Sequence, residues 1–598
     1  MKIAPAAFAL VVALAAGSPP QARAFHHRSS PPAASAPRRA AFDAARLRNL
    51  PPSTSSRPQS WALSAKKTKT ASSSSSSSSS RSGTAALSTL ESWSKNVAGI
   101  QSGGVRVASG NSVADSDGSA GGLGLVSDRE LKGGDVLVQV PTDLALQVES
   151  KGGSFDRDVE ELLGGRDARR AVRDAPWWVR MSLKVNAVDK VSNKLGSKDG
   201  GGVDAAAWLD SLPRKFDTPF HWSDEQLDEL QYGYMADSVR WQRNKWKAQY
   251  DKISGGGKLS YDDFVWGCET ARSRCFSGPY SGTGAFDPKP YALTLFLIAA
   301  YVGGGLGTIE QAANGAALVL CGTVLKDFVF PKFLGSRKYV LCPYIDMANH
   351  DGTGLARGNV AFEYFADGYS LSVLDGGSSP IVRPQSEVFI SYGPRSNDQL
   401  LQYYGFVERG DPHDVYVLPP LREWDVAALE RATGRTIMPG RLEKLERAGL
   451  LGRDRNAIAI AAAAAANDGD DDDDDNANAA GGVVITRTAG LDPAVLQALR
   501  ALMSTDDEWN DAGESVGNFA AEESGGPANE RAAMIAARTA MELELSNKPT
   551  TRGQDEELLK KMEMSASANV GGAEERLAVA FRAEKKRVLE EAIAGIRV

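Results

Sequence analysis

The chain has 598 residues, too many for one domain and enough for roughly three or four, and its 42% hydrophobic and 24% charged content suits a sizeable soluble core. Residues 1–90 hold twelve Lys or Arg and one acid, Asp43; of 68 basic and 75 acidic residues overall, the rest therefore carries 56 against 74. So acidic a body argues against nucleic-acid binding, which relies on basic patches. Four cysteines, Cys268, Cys275, Cys321 and Cys342, without a Cys-x-x-Cys pair argue against a disulfide scaffold and a structural zinc. Past the leader the histidines are His221, His350 and His413, so no metal site is expected.

Met1 to Ala24 reads as a secretory signal: Lys2 supplies charge, Ile3 to Ala16 an apolar stretch, and Gln21 to Ala24 a small-residue cleavage site. The apolar stretch is too short for a membrane span of about twenty residues, so no membrane association is expected of the mature form. Residues 25–89 are rich in Ser, Ala and Arg, nearly free of acid, and include Ser72 to Ser80. That is transit-peptide composition without a packed core. The two segments together resemble the bipartite presequence of algae with complex plastids, with secretion as the alternative; a cysteine-poor mature chain favours the plastid.

The folded part is expected to open at Leu90. Gly118, Gly121, Gly122 and Gly124 lead into Leu125-Val126, and Val136 to Val140 reads as a strand ended by Pro141. The glycines lack the helix of a dinucleotide fingerprint and the lysine of a P-loop, but would let backbone approach a ligand closely. From about residue 149 to 323 the pattern is mostly helical. Trp208 to Pro213 closes one helix, Trp222-Ser223 caps a second, and Tyr261 to Trp266 opens a third reaching Arg272, Arg274 and Phe276. Tyr291 to Val302 is apolar all round, the length of a buried helix.

Residues 341–406 concentrate the chemistry. Asn349-His350 follows a buried, strand-like run, and Glu387 to Tyr392 reads as a strand alternating Val388 and Ile390 with Phe389 and Ser391. Gly393-Pro394 breaks it, and Ser396-Asn397 caps a helix carrying Leu400, Leu401 and Tyr404. Polar groups thus gather at strand ends and turns, where sites are commonly built. Beyond Leu421 the chain is Ala-, Leu- and charge-rich with helical spacing, interrupted by Ala461 to Ala466 and Asp470 to Asp475. This interruption, residues 457–483, reads as a low-complexity, disordered insert, without the glycine and terminal glutamate of a calcium loop.

Pro343-Tyr-Ile-Asp-Met-Ala-Asn-His350, Ser391-Tyr-Gly393, Arg395-Ser-Asn397 and Tyr404-Gly-Phe406 closely resemble the SET-domain lysine methyltransferases of the Rubisco large-subunit methyltransferase-like, plastid branch. Gly122 to Leu125, Trp208 to Pro213, Ser273-Arg274 and Pro549 to Thr551 support the resemblance, which spans about residues 90–598 without the Asp-rich insert. It implies an α+β architecture: a β-rich SET domain over 90–420, split by a helical insert at about 149–323, then an all-α substrate-binding domain over 421–598. It implies S-adenosylmethionine as cofactor, held by Gly122, Leu123, Arg274, Asn349, His350 and Phe406. Tyr392 matches the catalytic tyrosine and Tyr404 an auxiliary one.

The reaction needs a neutral amine. A lysine pKa of about 10.4 makes that cost roughly 4 kcal/mol near neutral pH, and an apolar channel beside a sulfonium lowers it. The expected partner is a stromal protein, such as Rubisco large subunit or aldolase, docked on the C-terminal helices of a monomer. Two alternatives stand beside this reading: a catalytically silent binding scaffold, and a histidine-directed protein methyltransferase. One departure concerns the lysine channel, where residues 351–359 are Gly-rich and the nearest candidate for its further aromatic is Tyr364, leaving product multiplicity open.

Overall fold

The computed structural model describes residues 79–96, 98–109, 123–149, 157–164, 172–196, 202–254, 257–278, 338–352, 360–365, 368–374, 382–450, 482–488, 490–522, 524–564 and 572–597. Residues 1–78 of the leader, Gly122, the apolar stretch 291–302 and residues 457–481 of the Asp-rich insert lie outside them. The first described element is a helix, Ser79–Asn96, which starts upstream of the expected opening at Leu90 and buries Leu90 and Trp93.

Three small sheets carry the site. One orders Gln101–Ser102, Val136–Pro141, Gly368–Val373 and Val360–Phe365, all antiparallel. A second orders Leu146–Glu149, Lys338–Leu341 and Phe276–Gly278. The third orders Asn349–His350, Glu387–Ile390, Leu123–Ser127 and Val105–Ser109, its first pair parallel and the others antiparallel. Side chains alternate about a strand, so Val388 and Ile390 enter the core while Glu387 and Phe389 face the other way.

The helical insert is fixed by close backbone approach. Helix Trp177–Ala187 lies on helix Tyr261–Arg274, where Ser182 Oγ donates to Phe264 O at 3.0 Å and Asn186 Nδ2 to Asp263 O at 2.9 Å. A Cβ at Gly267 would fall 2.4 Å from both Asn186 Nδ2 and Ser182 Oγ, so only glycine admits this contact. Helix Tyr261–Arg274 ends sooner than its pattern suggested: Cys275 is extended and Phe276 begins a strand pairing with Val340. Tertiary strand pairing there overrides helical spacing.

Among the described residues two apolar cores form. The first joins the sheets to the insert around Trp178, Trp208, Trp246 and Phe264, with Trp177 stacked on Tyr339 at 3.9 Å. The second gathers Trp222 to Val239, Leu401, Tyr416 to Leu418 and the C-terminal helices Pro493–Met503, Pro527–Ser546 and Ala573–Gly595. The insert thus contributes to both cores. The C-terminal region also holds a small antiparallel sheet of Val415–Leu418, Val483–Thr486 and Gly490–Leu491. Val483, Val484 and Ile485 form a β-branched run at the edge of the low-complexity segment, a strand signal that composition obscured.

The turn leading to Asn349-His350 is strained and braced. Tyr344 has φ 72° and ψ −43°, costing a bulky residue about 1–3 kcal/mol. Its side chain is fully buried, and its hydroxyl donates to Glu91 Oε1 at 2.6 Å, which also accepts the Val107 amide at 2.7 Å. The N-terminal helix therefore pins the turn. Tyr344→Phe should lower unfolding free energy by about 1.5–3 kcal/mol, the worth of a hydrogen bond to a charged group. Urea denaturation measures this, and a loss below about 0.5 kcal/mol would show that the hydroxyl does not brace the turn.

Candidate active site

The register of one parallel pair assembles the site. Asn349 lies opposite Phe389 and His350 opposite Ile390, so Tyr392 emerges just past the strand end beside His350. The Tyr392 amide donates to His350 Nδ1 at 3.0 Å, and its hydroxyl donates to Ala348 O at 2.9 Å. The His350 and Tyr392 rings stack at 4.9 Å and 17°.

Tyr404 and Phe406 close the group. Tyr392 stacks on Tyr404 at 4.9 Å, Tyr404 meets Phe406 edge-on at 6.2 Å, and Phe406 lies 6.1 Å from His350. The segment Leu400–Tyr404 winds as a π-helix, a feature common at functional sites, and Gly405 ends it at φ 77°. Ser396 stands at the N-cap position of Asn397–Gln399, but its side chain caps nothing. Asp414 Oδ1 accepts the Asn397 amide instead, at 3.1 Å. A residue seventeen positions on supplies the cap that local sequence seemed to offer.

Asn349 and Leu123 meet directly: Asn349 Nδ2 donates to Leu123 O at 3.2 Å and to Glu387 Oε1 at 2.6 Å. A Cβ on neighbouring Gly124 would fall 2.3 Å from Glu387 Oε1 and 3.0 Å from Asn349 Nδ2, so a bare backbone is needed here. Gly122 lies outside the described residues. Tyr364 pairs with Tyr369 in its strand.

Arg274 ends its helix, where a cation suits the negative pole of the helix dipole. It donates to Asp346 O at 2.9 Å and lies 3.5 Å from Asp346 Oδ2, while Trp208 Nε1 donates to the same Oδ2 at 3.3 Å. Two buried atoms here, Arg274 Nε and Asp346 Oδ1, have no hydrogen-bond partner among the described residues. A buried donor and a buried acceptor left without protein partners are the groups that would suit a ligand carrying both carboxylate and ammonium, as an amino-acid moiety does. Asp346, Glu387 and Glu408 were not singled out from sequence. Asp346 stands three residues before Asn349 in the motif itself, which was the available signal.

The electrostatics follow burial. Burial pushes the Asp346 carboxyl above the usual carboxylate range, opposed by Arg274 and by the Trp208 N–H. Burial, reinforced by Tyr404, pushes the Tyr392 phenol well above its ordinary value, so its proton stays in place. Burial and the Asp346 charge likewise push the Cys342 thiol up, which keeps it protonated. His221, which had no assigned role, lies 2.9 Å from buried Glu269, whose Oε1 also accepts Thr218 Oγ1 at 2.6 Å. Among the described residues no group of three or more His, Cys, Asp or Glu is placed to hold a metal ion.

Comparison with known proteins agrees with this architecture. Residues 438–589 match the family described as Rubisco LSMT substrate-binding. A solved SET domain of LSMT, bound to lysine and AdoHcy, superposes with a TM-score of 0.50 at 18% identity, covering 85% of this chain and 90% of that one. The chloroplastic fructose-bisphosphate aldolase-lysine N-methyltransferase of Arabidopsis thaliana is 22% identical over 325 residues, 52% of each chain. The chain thus spans about half the length of that curated relative. The fold is that of a SET domain, with an insert and a helical C-terminal region that matches the substrate-binding family. In particular, the fold is similar to that of LSMT, and residues 438–589 match the family named for its substrate-binding region.

Removing Arg274 tests the buried pair. Asp346 has its folded pKa raised above the unfolded value, so it costs stability as pH rises through the carboxylate range and nothing well below it. Without Arg274 that cost grows. Arg274→Met should lose about 3–5 kcal/mol at about pH 8. The deficit should shrink near pH 5, as Asp346 protonates in the folded state. Urea titrations at the two pH values decide, and an equal deficit at both would show that Arg274 does not act through Asp346.

Proposed function

We propose that this chain is an S-adenosylmethionine-dependent protein-lysine N-methyltransferase. The observation that carries the reading is the Tyr392 phenol, kept protonated and held 2.9 Å from Ala348 O beside the Asn349-His350 strand end. When bound, S-adenosylmethionine supplies a methyl group on a sulfonium for in-line displacement. Arg274 and Asp346 suit its amino-acid end, Asn349 with the Leu123 and His350 backbone its middle, and Phe406 its adenine. Tyr392 and Tyr404 then line the amine side.

In this geometry no residue need serve as a strong base. The Tyr392 hydroxyl acts as a fixed dipole that orients, and the stacked rings of His350, Tyr392 and Tyr404 exclude water around the amine. Exclusion of water disfavours the ammonium form, so the target lysine loses its proton to solvent before entering. The C-terminal helices within 438–589 dock the protein substrate, and the names of the relatives favour a stromal protein such as aldolase or Rubisco large subunit. The acid-poor leader, residues 1–24 followed by 25–89, would deliver the chain to the plastid.

Incubation with labelled S-adenosylmethionine and stromal extract should label a protein. Tyr392→Phe should lower kcat about a hundredfold, the scale of losing one positioned hydrogen-bonding group, while S-adenosylmethionine binding stays within about threefold. Equal turnover by the variant would remove Tyr392 from the reaction. Separately, residues 1–90 fused to a fluorescent protein should enter plastids, and secretion of the fusion would contradict the assigned location.

A further inference from the structure

A continuous set of buried polar contacts runs from the C-terminal helix Ala573–Gly595 to the Tyr392 backbone. Its far end is Lys585, 1% exposed, whose ammonium donates to Asp398 Oδ2 at 2.6 Å, Asp414 Oδ1 at 2.7 Å and Val415 O at 2.8 Å. Fully buried Asp414 in turn accepts the Asn397 amide at 3.1 Å and Asn397 Nδ2 at 2.8 Å. Asn397 grips the Glu408 backbone from both sides: its Oδ1 accepts the Glu408 amide at 2.7 Å, and its Nδ2 donates to Glu408 O at 3.0 Å.

The Glu408 side chain reaches the site. Its Oε1 accepts the Gly352 amide at 2.9 Å, and its Oε2 lies 3.4 Å from His350 Nε2, an electrostatic contact outside hydrogen-bond geometry. A Cβ at Gly352 would fall 2.6 Å from Glu408 Oε2 and 3.1 Å from His350 Nε2, so glycine leaves the space this contact occupies. On the other edge of the ring, Nδ1 accepts the Tyr392 amide at 3.0 Å.

These contacts fix a tautomer. An Nδ1 that accepts the Tyr392 N–H must carry a lone pair, so the ring proton sits on Nε2 and faces the Glu408 carboxylate. The opposite tautomer would let Nδ1–H donate to Ile390 O, 3.3 Å away, but would set an Nε2 lone pair against a carboxylate and strand the Tyr392 amide. A carboxylate at this point therefore selects the form of His350 that holds Tyr392. None of these links is visible in sequence, because Lys585 lies 171 positions from Asp414 and Glu408 lies 56 from Gly352.

We propose that Lys585 and Glu408 are positioning residues: seated in the C-terminal domain, Lys585 orders Asp414 and Asn397, and these hold Glu408 where it fixes His350 as the Nε2–H tautomer and so places Tyr392. Its consequence for catalysis rests on the methyltransferase reading, but the contact chain has a readout of its own. Docking of the substrate-binding domain and order at the methyl-transfer site become one event, and a chain with that domain unseated would bind cofactor poorly.

The test uses the full chain labelled with nitrogen-15 at histidine. Long-range proton–nitrogen spectra distinguish the two tautomers, with His350 assigned by loss of its signals in His350→Gln. Wild type should show a protonated Nε2 and a bare Nδ1. Lys585→Met combined with Asp398→Asn keeps the summed charge of Lys585, Asp398 and Asp414 at minus one, as in wild type, and so should fold. This double variant should give mixed tautomers at His350 and about tenfold weaker S-adenosylmethionine binding by calorimetry. Glu408→Ala should do the same from inside the SET domain, and it carries the test should the double variant fail to fold.

A wild-type His350 protonated on Nδ1 would overturn the proposal, as would variants that keep the wild-type ring spectrum. Loss of thermal stability without any spectral change would reduce Lys585 to a structural role and count equally against it. Wild type that binds no S-adenosylmethionine would count against the methyltransferase reading, and the ring spectrum would still decide the positioning claim.

Discussion

The site depends on one short parallel pairing, Asn349–His350 beside Glu387–Ile390. Parallel neighbours need a crossover, and here the chain between them returns through the antiparallel pair Val360–Phe365 and Gly368–Val373. The pairing sets the Asn349 amide and the His350 imidazole next to the residue that follows the second strand. A slip of one position would turn Val388 and Ile390 out of the core and carry Tyr392 off the His350 ring. Register is thus locked by burial, and the four-ring cluster of His350, Tyr392, Tyr404 and Phe406 inherits its precision from that lock.

Around this pairing the polar groups are braced by distant parts of the fold. Glu91 in the first helix receives Tyr344, Trp208 in the insert reaches Asp346, and Arg274 arrives at the end of another insert helix. The C-terminal domain enters through Lys585. Such buried ionic contacts contribute little net stability, since desolvation offsets attraction, but losing one partner is costly. Their value here is geometric: each has one good arrangement, and that arrangement orders a backbone turn at the site.

Much of the site was legible because its residues sit in local motifs. Asn349 and His350 are adjacent, Tyr392 follows an alternating strand, and Tyr404 and Phe406 flank a glycine that takes φ 77°. The coarse order of strands, helices, strands and helices could also be read from periodicity. What escaped were effects of tertiary origin. Ser396 had the composition of a helix cap, but Asp414 supplies the bond; the helix expected to reach Phe276 yields at Cys275 to strand pairing; and Val483 to Ile485 forms a strand beside low-complexity sequence. Glu408 and Lys585 carry no local pattern that marks them, since their partners are brought near only by folding.

The central claim is that this geometry directs a methyl group to a lysine amine. The most direct measurement is amino-acid analysis of the protein labelled from S-adenosylmethionine by the purified chain. The label should be recovered as N-methylated lysine. Recovery as methylated histidine, or no transfer to any protein by a chain that binds the cofactor, would contradict it.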